Sequence, residues 1–215
     1  MIFYTVPVSN YCAKVELALA LKGIEAIHQI PPGGYGSENY KVIVPTGTVP
    51  ALIDEGLVLS DSETINEYLE EKFPKPALLP ITIGDRATTR MLSRFHDLKF
   101  EPLIRALFKH MSPSQRQEAV IKEKYQELDQ QLSLLERMGH FSPYIAGDQI
   151  SLADCGFAPT ILLATKMFKA VNMPLTLSQK IESWQMKMSE HPIAEPILSK
   201  YAMAVDDWLQ IKLSS

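Results

Sequence analysis

The sequence has only two cysteines, Cys12 and Cys155, among 215 residues. Two cysteines cannot form a disulfide framework and no signal peptide opens the chain, so we expect a reduced, cytoplasmic protein. No apolar run approaches the roughly 20 residues that a membrane span needs, so no membrane contact is expected. Neither charge is in large excess, since 21 basic and 25 acidic residues give a net charge of −4. That balance provides no basic field for a nucleic acid. We also expect no metal site.

The first 80 residues alternate between strand and helix patterns. Short apolar runs rich in strand formers predict strands, and apolar residues at three- and four-residue spacing predict helices. The predicted order is strand, helix, strand, a Pro- and Gly-rich loop, a two-stranded hairpin and a helix. The segments are residues 2–5, a helix ending at Gly23, 25–30, 51–54 with 57–59, and 62–72. This order, with Pro50 before the third strand, is the thioredoxin-like arrangement.

The remainder of the chain has helical patterns alone. Residues 73–80, FPKPALLP, contain three prolines and predict a stiff connection between two domains. Long amphipathic runs follow from Arg86 to about His110 and from Gln115 to Met138, and two shorter ones near the end. Ser151 and Asp154 have the spacing of a helix capping box. We therefore expect an α/β thioredoxin-like domain over residues 1–80, followed by an all-helical domain over residues 85–215.

Two short segments indicate chemistry. Pro50 precedes an apolar strand, and a cis Val49–Pro50 bond would turn the backbone of Val49 outward to pair with an extended peptide. An ordinary trans proline in a turn is the alternative. Ser9 precedes the first helix, where a hydroxyl either donates to an anion or simply caps the helix. Cys12 has the second position of a thioredoxin-type motif, so it is either a redox thiol or a small buried packing group.

Four segments together resemble the cytosolic glutathione transferases. SNYCAKVELALALKG at residues 9–23 resembles the first loop and helix of the serine-type members. VPTGTVPAL at 44–52 is similar to their segment around the cis proline. DSETINEYL at 61–69 resembles the start of their third helix, and AGDQISLAD at 146–154 their second-domain capping box. The pattern around Ser9 combines features of the tau, zeta and theta classes, so the class stays open.

This resemblance implies roles for individual residues. Ser9 would stabilise the thiolate of glutathione, which is the co-substrate. Val49 and a cis Pro50 would bind its cysteinyl part. Asp61 and Ser62 would bind its γ-glutamyl end, unless Ser60 and Glu63 only form a capping box. Thr48 stands where many members have lysine or glutamine, so we expect either weaker binding of glutathione or binding of its glycyl carboxylate by Lys41 instead.

The second substrate is expected between the first loop and the helices after the linker. Such pockets are mainly apolar and aromatic, and five residues are candidates, with core packing as the alternative role for each. They are Tyr11, Met91, Phe95, His96 and Phe108, with His96 expected at the polar rim. The resemblance also implies a homodimer.

Three functions remain open from the sequence. The first is a glutathione transferase that attacks a small, apolar electrophile with the glutathione thiolate. The second is a non-catalytic member of the family that acts as a binding or interaction protein. The third is a glutathione-dependent isomerase, or a thiol transferase that uses Cys12.

Overall fold

A computed structural model describes residues 1–215. Its first part contains four short strands and three helices, in the predicted order with one addition. The elements are β1 (Ile2–Tyr4), α1 (Asn10–Leu21), β2 (Ile27–Gln29), α2 (Glu38–Lys41), β3 (Ala51–Asp54), β4 (Leu57–Leu59) and α3 (Ser62–Lys72). The added element is α2, a single helical turn in a segment that we predicted to be a loop. Ser37 begins this turn because its side chain accepts a hydrogen bond from the backbone of Tyr40.

The four strands form one mixed sheet with the order β2-β1-β3-β4. Strand β1 is parallel to β2 and antiparallel to β3, and β3 pairs with β4 as the predicted hairpin. Apolar residues of α1 and α3 pack against the sheet in one buried cluster. Its members are Phe3, Cys12, Val15, Leu19, Leu52, Ile65 and Leu69. This arrangement confirms the thioredoxin-like fold.

The second part is entirely helical. Its helices are α4 (Ile83–Phe95), α5 (Glu101–Arg105), α6 (Glu118–Met138), α7 (Leu152–Ala170), α8 (Gln179–Glu190) and α9 (Ala194–Leu213). A π-helical turn, His96–Phe100, joins α4 to α5. The predicted run to His110 is therefore interrupted, and a short 3₁₀ turn, Phe108–Met111, completes it. Helix α9 continues twelve residues beyond the predicted end at Tyr201, to Leu213.

The two parts share a continuous apolar core. Ala13, Leu17 and Leu21 of α1 belong to the same buried cluster as the residues of α4 to α9, so α1 is covered on both sides. Helix α7 lies at the centre, and its predicted capping box between Ser151 and Asp154 is present. None of the helices is both long enough and apolar enough to cross a membrane.

Candidate functional site

A cleft of about 400 Å³ lies between the sheet side of the first part and the helical run from α4 to α5. Three separate segments of the first part and one of the second contribute to its walls. The lining residues are Tyr11, Thr48, Val49, Pro50, Ser60, Asp61, Ser62, Arg94, Asp97, Leu98 and Arg105. Four residues that we predicted to bind glutathione, namely Val49, Pro50, Asp61 and Ser62, are thus brought together. The expected second-substrate residue Tyr11 lies in the same cleft.

The Val49–Pro50 peptide bond is cis. Pairing between β1 and β3 begins at Ala51, which is opposite Tyr4, so Val49 lies outside the paired part of the strand. Val49 is half-buried and lines the cleft. Its backbone is therefore positioned beyond the end of the strand, where an extended ligand segment can pair with it.

Helix α3 begins at the cleft with Ser62. Asp61 caps it, because Oδ1 of Asp61 accepts a hydrogen bond of 2.8 Å from the backbone N of Thr64. The proposed capping box of Ser60 and Glu63 is therefore wrong, and Glu63 is buried elsewhere. The first N–H groups of a helix have no partners within it and favour an anion. The cleft thus combines a helix N-terminus with an exposed carboxylate.

Ser9 caps α1 and stands beside the cleft rather than in its wall. Its Oγ accepts a hydrogen bond of 3.2 Å from the backbone N of Cys12. No hydrogen bond donated by the Ser9 hydroxyl occurs in the structure. Ser9 is half-buried, and Tyr11, two residues along, lines the cleft. The hydroxyl therefore caps the helix as an acceptor, and its side chain also opposes the effect of burial on the pKa of the Cys12 thiol.

Tyr11 is held by a charged pair below it. Its hydroxyl donates to Oε2 of Glu101 at 3.0 Å, and Arg105 lies over its ring at 5.2 Å from the centroid while bonding to the same carboxylate. Glu101 is only 1% exposed and also accepts from Asn10. Burial and the nearby carboxylates raise the pKa of Tyr11. Tyr11 therefore stays protonated, with its proton engaged by Glu101.

A second buried ion cluster joins α1 to the cleft. The Nζ of Lys14 lies 2.8 Å from Glu63 of α3 and 2.9 Å from Asp97 of the π turn. Asp97 also bonds to Nδ1 of His96 at 2.7 Å, and Nε2 of His96 bonds to Thr160 of α7 at 2.8 Å. Burial alone would raise the pKa of Asp97, but the His96 hydrogen bond and the Lys14 charge lower it. The sequence analysis missed this cluster, because its members come from distant segments.

Several residues expected at the site lie elsewhere. Phe95 and His96 do not line the cleft, because both pack against Phe157 of α7, at centroid distances of 6.3 and 5.0 Å. His96 is 1% exposed rather than at a polar rim. It continues the buried face of α4 that is formed by Thr89, Leu92 and Ser93, and this spacing was the signal that could have placed it.

Three other candidates are also absent from the cleft wall. Lys41 pairs with Glu38 on the surface at 2.8 Å, because the turn of α2 places the two side chains together. Met91 is half exposed on α4. Phe108 packs against Trp208 of α9 at 5.2 Å and under the guanidinium of Arg105.

Cys12 is 1% exposed and packs in the cluster below the sheet. Burial raises the pKa of its thiol, although the Ser9 side chain and the Val6 backbone oppose this shift. A reactive thiol needs exposure and a lowered pKa. The environment of Cys12 thus favours the packing role over the redox role.

Comparison with known proteins agrees with this geometry. Residues 3–77 match the family model for the glutathione S-transferase N-terminal domain, and residues 118–192 match the model for the C-terminal domain. This chain belongs to the glutathione S-transferase family. A glutathione S-transferase of Pseudomonas putida is 34% identical over 165 residues, which cover 76% of this chain and 74% of that protein.

Two further similarities widen the comparison. A stringent starvation protein A homolog of Histophilus somni is 31% identical over 154 residues, covering 72% of this chain and 70% of that protein. A delta-class glutathione transferase of Nilaparvata lugens has the same fold, with a TM-score of 0.84 at 23% identity and 98% coverage of both chains. Proteins similar to this chain are thus named both as glutathione S-transferases and as stringent starvation protein A homologs.

Proposed function

We propose that this glutathione S-transferase family member is a catalytic transferase. It binds glutathione along the wall formed by Val49, Pro50, Asp61 and Ser62. It holds the thiol near Ser9 as a thiolate, which attacks a small electrophile bound against the helical run from α4 to α5. The observation that carries the proposal is the meeting of the cis Val49–Pro50 bond and the N-terminus of α3 in one cleft.

Each part of glutathione has a chemically suitable counterpart. The exposed carboxylate of Asp61 matches the γ-glutamyl ammonium group, and the N–H groups that open α3 match its α-carboxylate. The backbone of Val49 matches the cysteinyl amide, as in strand addition. These contacts orient the thiol toward the start of α1, where the helix dipole favours a negative charge.

Ser9 supplies the donor for the thiolate. The Ser9 hydroxyl is held by the hydrogen bond that it accepts from Cys12 N, so its proton can turn to a bound sulfur, whereas the proton of Tyr11 is engaged by Glu101. A hydrogen bond to the ionised sulfur lowers the thiol pKa and so increases the reactive fraction at neutral pH. The sulfur then bonds to the electrophilic carbon as the leaving group departs with its electron pair.

The decisive experiment separates the two tasks of Ser9. Glutathione binding, the pKa of the bound thiol and turnover of an aryl halide are measured for wild type, Ser9→Ala and Ser9→Thr. We expect Ser9→Ala to bind glutathione but to have a raised thiol pKa and a rate lower by roughly 10- to 1000-fold. Ser9→Thr keeps a hydroxyl and a capping group, so it recovers part of the rate. Wild type that binds no glutathione contradicts the proposal.

The stability of Ser9→Gly is the matched control. Glycine is accepted at the cap position at a cost of roughly a few tenths of a kcal/mol and has no side-chain donor, so this variant keeps α1 nearly intact without the hydroxyl. If Ser9→Ala and Ser9→Gly differ in stability but share a raised thiol pKa, the rate loss comes from the lost donor. If the rate loss follows the stability loss, Ser9 is a cap alone.

A non-catalytic binding role is the second candidate. It is favoured by the position of Ser9 beside the cleft wall and by the similarity to a stringent starvation protein A homolog. In that case wild type shows no turnover of any electrophile, whether or not glutathione binds. A thiol transferase that uses Cys12 is disfavoured by the burial of this thiol.

We also propose that the protein is a homodimer in the cytoplasm. The outer faces of α4 and β4 expose apolar side chains, of which Met91 and Leu57 are each more than 40% exposed. Exposed apolar patches of this kind are typical of protein interfaces. Light scattering of the purified protein tests the dimer, and a monomer at micromolar concentration would contradict it.

A further inference from the structure

The helical wall of the cleft carries cationic side chains where aromatic ones were expected. Arg94, Asp97, Leu98 and Arg105 line this wall, and Tyr11 faces them from the first part. The carboxylate of Asp97 is already bound by Lys14 and His96. Phe95 and His96 are turned into the core. The second-substrate side of the cleft is therefore polar rather than apolar, and Arg94 is its one charged residue without an ion-pair partner.

Arg94 is the cation of this wall that has no carboxylate partner. Its neighbour Arg90 donates from Nε and Nη2 to Glu67, both at 2.8 Å. Arg105 donates to Glu101 in the same paired manner. The Arg94 side chain is exposed at the cleft and makes no ion pair with the chain. A guanidinium of this kind is suited to bind a planar acid group with two parallel hydrogen bonds.

Arg105 provides a second, ordered donor. Its Nε and Nη2 bond to Glu101, so the third guanidinium nitrogen remains unengaged. The guanidinium plane is also held by two rings, at 5.2 Å from the Tyr11 centroid and 5.5 Å from that of Phe108. Because Glu101 neutralises the charge of Arg105, this residue orients a bound acid group by a hydrogen bond but adds little electrostatic attraction.

We propose that the second substrate is an electrophile that carries a carboxylate, held by Arg94 with Arg105 as an additional donor. This inference rests on the proposed transferase function and replaces the expectation of an apolar substrate. The α-carboxylate of glutathione has its own counterpart at α3, whereas no cation lies near Thr48 for its glycyl carboxylate, so the glycyl carboxylate is the competing ligand for Arg94 that the experiment has to separate. Arg94 thus determines which electrophile is accepted, while the thiolate near Ser9 performs the attack.

Two matched electrophiles test the proposal. Chloronitrobenzoate and chloronitrobenzamide, with the same ring positions, differ in the charge of one substituent. In both reactions the glutathione sulfur bonds to the ring carbon, chloride leaves with the electron pair of the broken bond, and the thiol proton goes to solvent. We measure kcat/KM for each compound, and KM for glutathione, in wild type, Arg94→Gln, Arg94→Lys and Lys99→Gln.

We expect wild type to prefer the acid over the amide. Arg94→Gln should reduce the ratio of the two kcat/KM values on the order of 10- to 100-fold, through KM for the acid. Arg94→Lys, which keeps the charge without the planar fork, should recover part of the preference. Lys99→Gln removes the same charge from an exposed residue outside the cleft and should leave the ratio unchanged.

Other results would overturn the inference and can be told apart from failure of the proposed function. Equal losses for acid and amide in Arg94→Gln would show that Arg94 does not recognise the substituent. A raised KM for glutathione with an unchanged ratio would assign Arg94 to a glutathione carboxylate. In both cases the transferase function survives. If wild type binds no glutathione and turns over neither compound, the proposed function and the inference fail together.

Discussion

The Nζ of Lys14 lies between two carboxylates, 2.8 Å from Glu63 and 2.9 Å from Asp97. Lys14 is fully buried on α1, so its charge is compensated only by these partners. Burial alone would lower the pKa of Lys14, but both carboxylates raise it. This contact connects the start of α3 and the π turn, which contribute opposite walls of the cleft.

Replacing Lys14 by methionine tests this connection. Lys14→Met keeps the aliphatic stem but leaves two carboxylates close together in a buried site. Breaking a buried ion pair costs about 3–5 kcal/mol of stability, and we expect a loss of that size in urea unfolding. Lys200→Met removes a lysine from its surface pair with Glu16 and should change stability little. A Lys14→Met protein as stable as Lys200→Met would contradict the structural role.

His96 makes stability depend on pH. Burial lowers the pKa of His96, although the Asp97 hydrogen bond opposes this. The unfolded chain therefore takes up a proton near pH 6.5, where the folded protein does not, and stability falls as the pH decreases below that value. A single proton gives a slope of about 1.4 kcal/mol for each pH unit.

Urea unfolding measured at a series of pH values from about 7.5 to about 5, which lie on both sides of the ordinary histidine pKa, gives this slope. We expect His96→Gln to lose this part of the pH dependence, even if it is less stable at every pH. An identical slope in the variant would mean that other groups account for the acid sensitivity. Asp97 adds a further loss at lower pH, because its pKa is lowered in the folded protein.

The sequence predicted the parts of the site that depend on local pattern. The start of α3 at Ser62 follows from residues adjacent in the chain, whereas the cis bond at Pro50 was expected from the family resemblance, because the local sequence by itself favours an ordinary trans proline. The cluster of Lys14, Glu63 and Asp97 could not be predicted in this way, because it joins segments that only the packed fold brings together. The same limit applies to Arg94, whose lack of a partner depends on which carboxylates its neighbours engage.

The error at Phe95 and His96 has a specific cause. The prediction placed the aromatic residues after the linker in the pocket because pockets are commonly aromatic. On α4, however, Thr89, Leu92, Ser93 and His96 recur at three- and four-residue spacing and form the buried face. Helical periodicity was thus a better guide to orientation here than residue type.

Thr48 is expected to limit the affinity for glutathione. It is exposed at the cleft, and its hydroxyl bonds to Thr46 at 2.9 Å, so this part of the wall has no cation for the glycyl carboxylate. Thr48→Lys should lower the dissociation constant of glutathione by up to about fivefold, because an exposed ion pair contributes up to about 1 kcal/mol. Calorimetry measures this constant, with Thr46→Lys as the control. Weaker binding to Thr48→Lys would indicate that the carboxylate lies elsewhere.

Cys12 is expected to be dispensable for chemistry. Cys12→Ala removes a buried sulfur from a small apolar cluster, so we expect a modest loss of stability, about 1 kcal/mol. Conjugation of an aryl halide should continue at nearly the wild-type rate. Loss of conjugation in a folded Cys12→Ala protein would favour the thiol transferase over the serine-dependent mechanism.

Asp154 holds the centre of the helical part through four hydrogen bonds. Its Oδ1 accepts from Ile145 N at 2.9 Å and from Trp184 Nε1 at 2.7 Å, and its Oδ2 accepts from the backbone and hydroxyl of Ser151. Asp154→Ala would leave these donors buried without an acceptor, each at a cost of roughly 1–3 kcal/mol.

We therefore expect Asp154→Ala to lose more stability than any single surface change, by about 3 kcal/mol or more. Urea unfolding followed by far-ultraviolet circular dichroism, which does not depend on Trp184, measures this loss in each variant. Trp184→Phe removes only one of the four donors and keeps an aromatic ring, so its loss should be smaller, and Asp206→Ala, which breaks a surface pair with Lys166, should have little effect. An Asp154→Ala protein no less stable than Trp184→Phe would mean that the indole hydrogen bond accounts for the stabilisation by Asp154 and that its bonds to Ile145 and Ser151 contribute little.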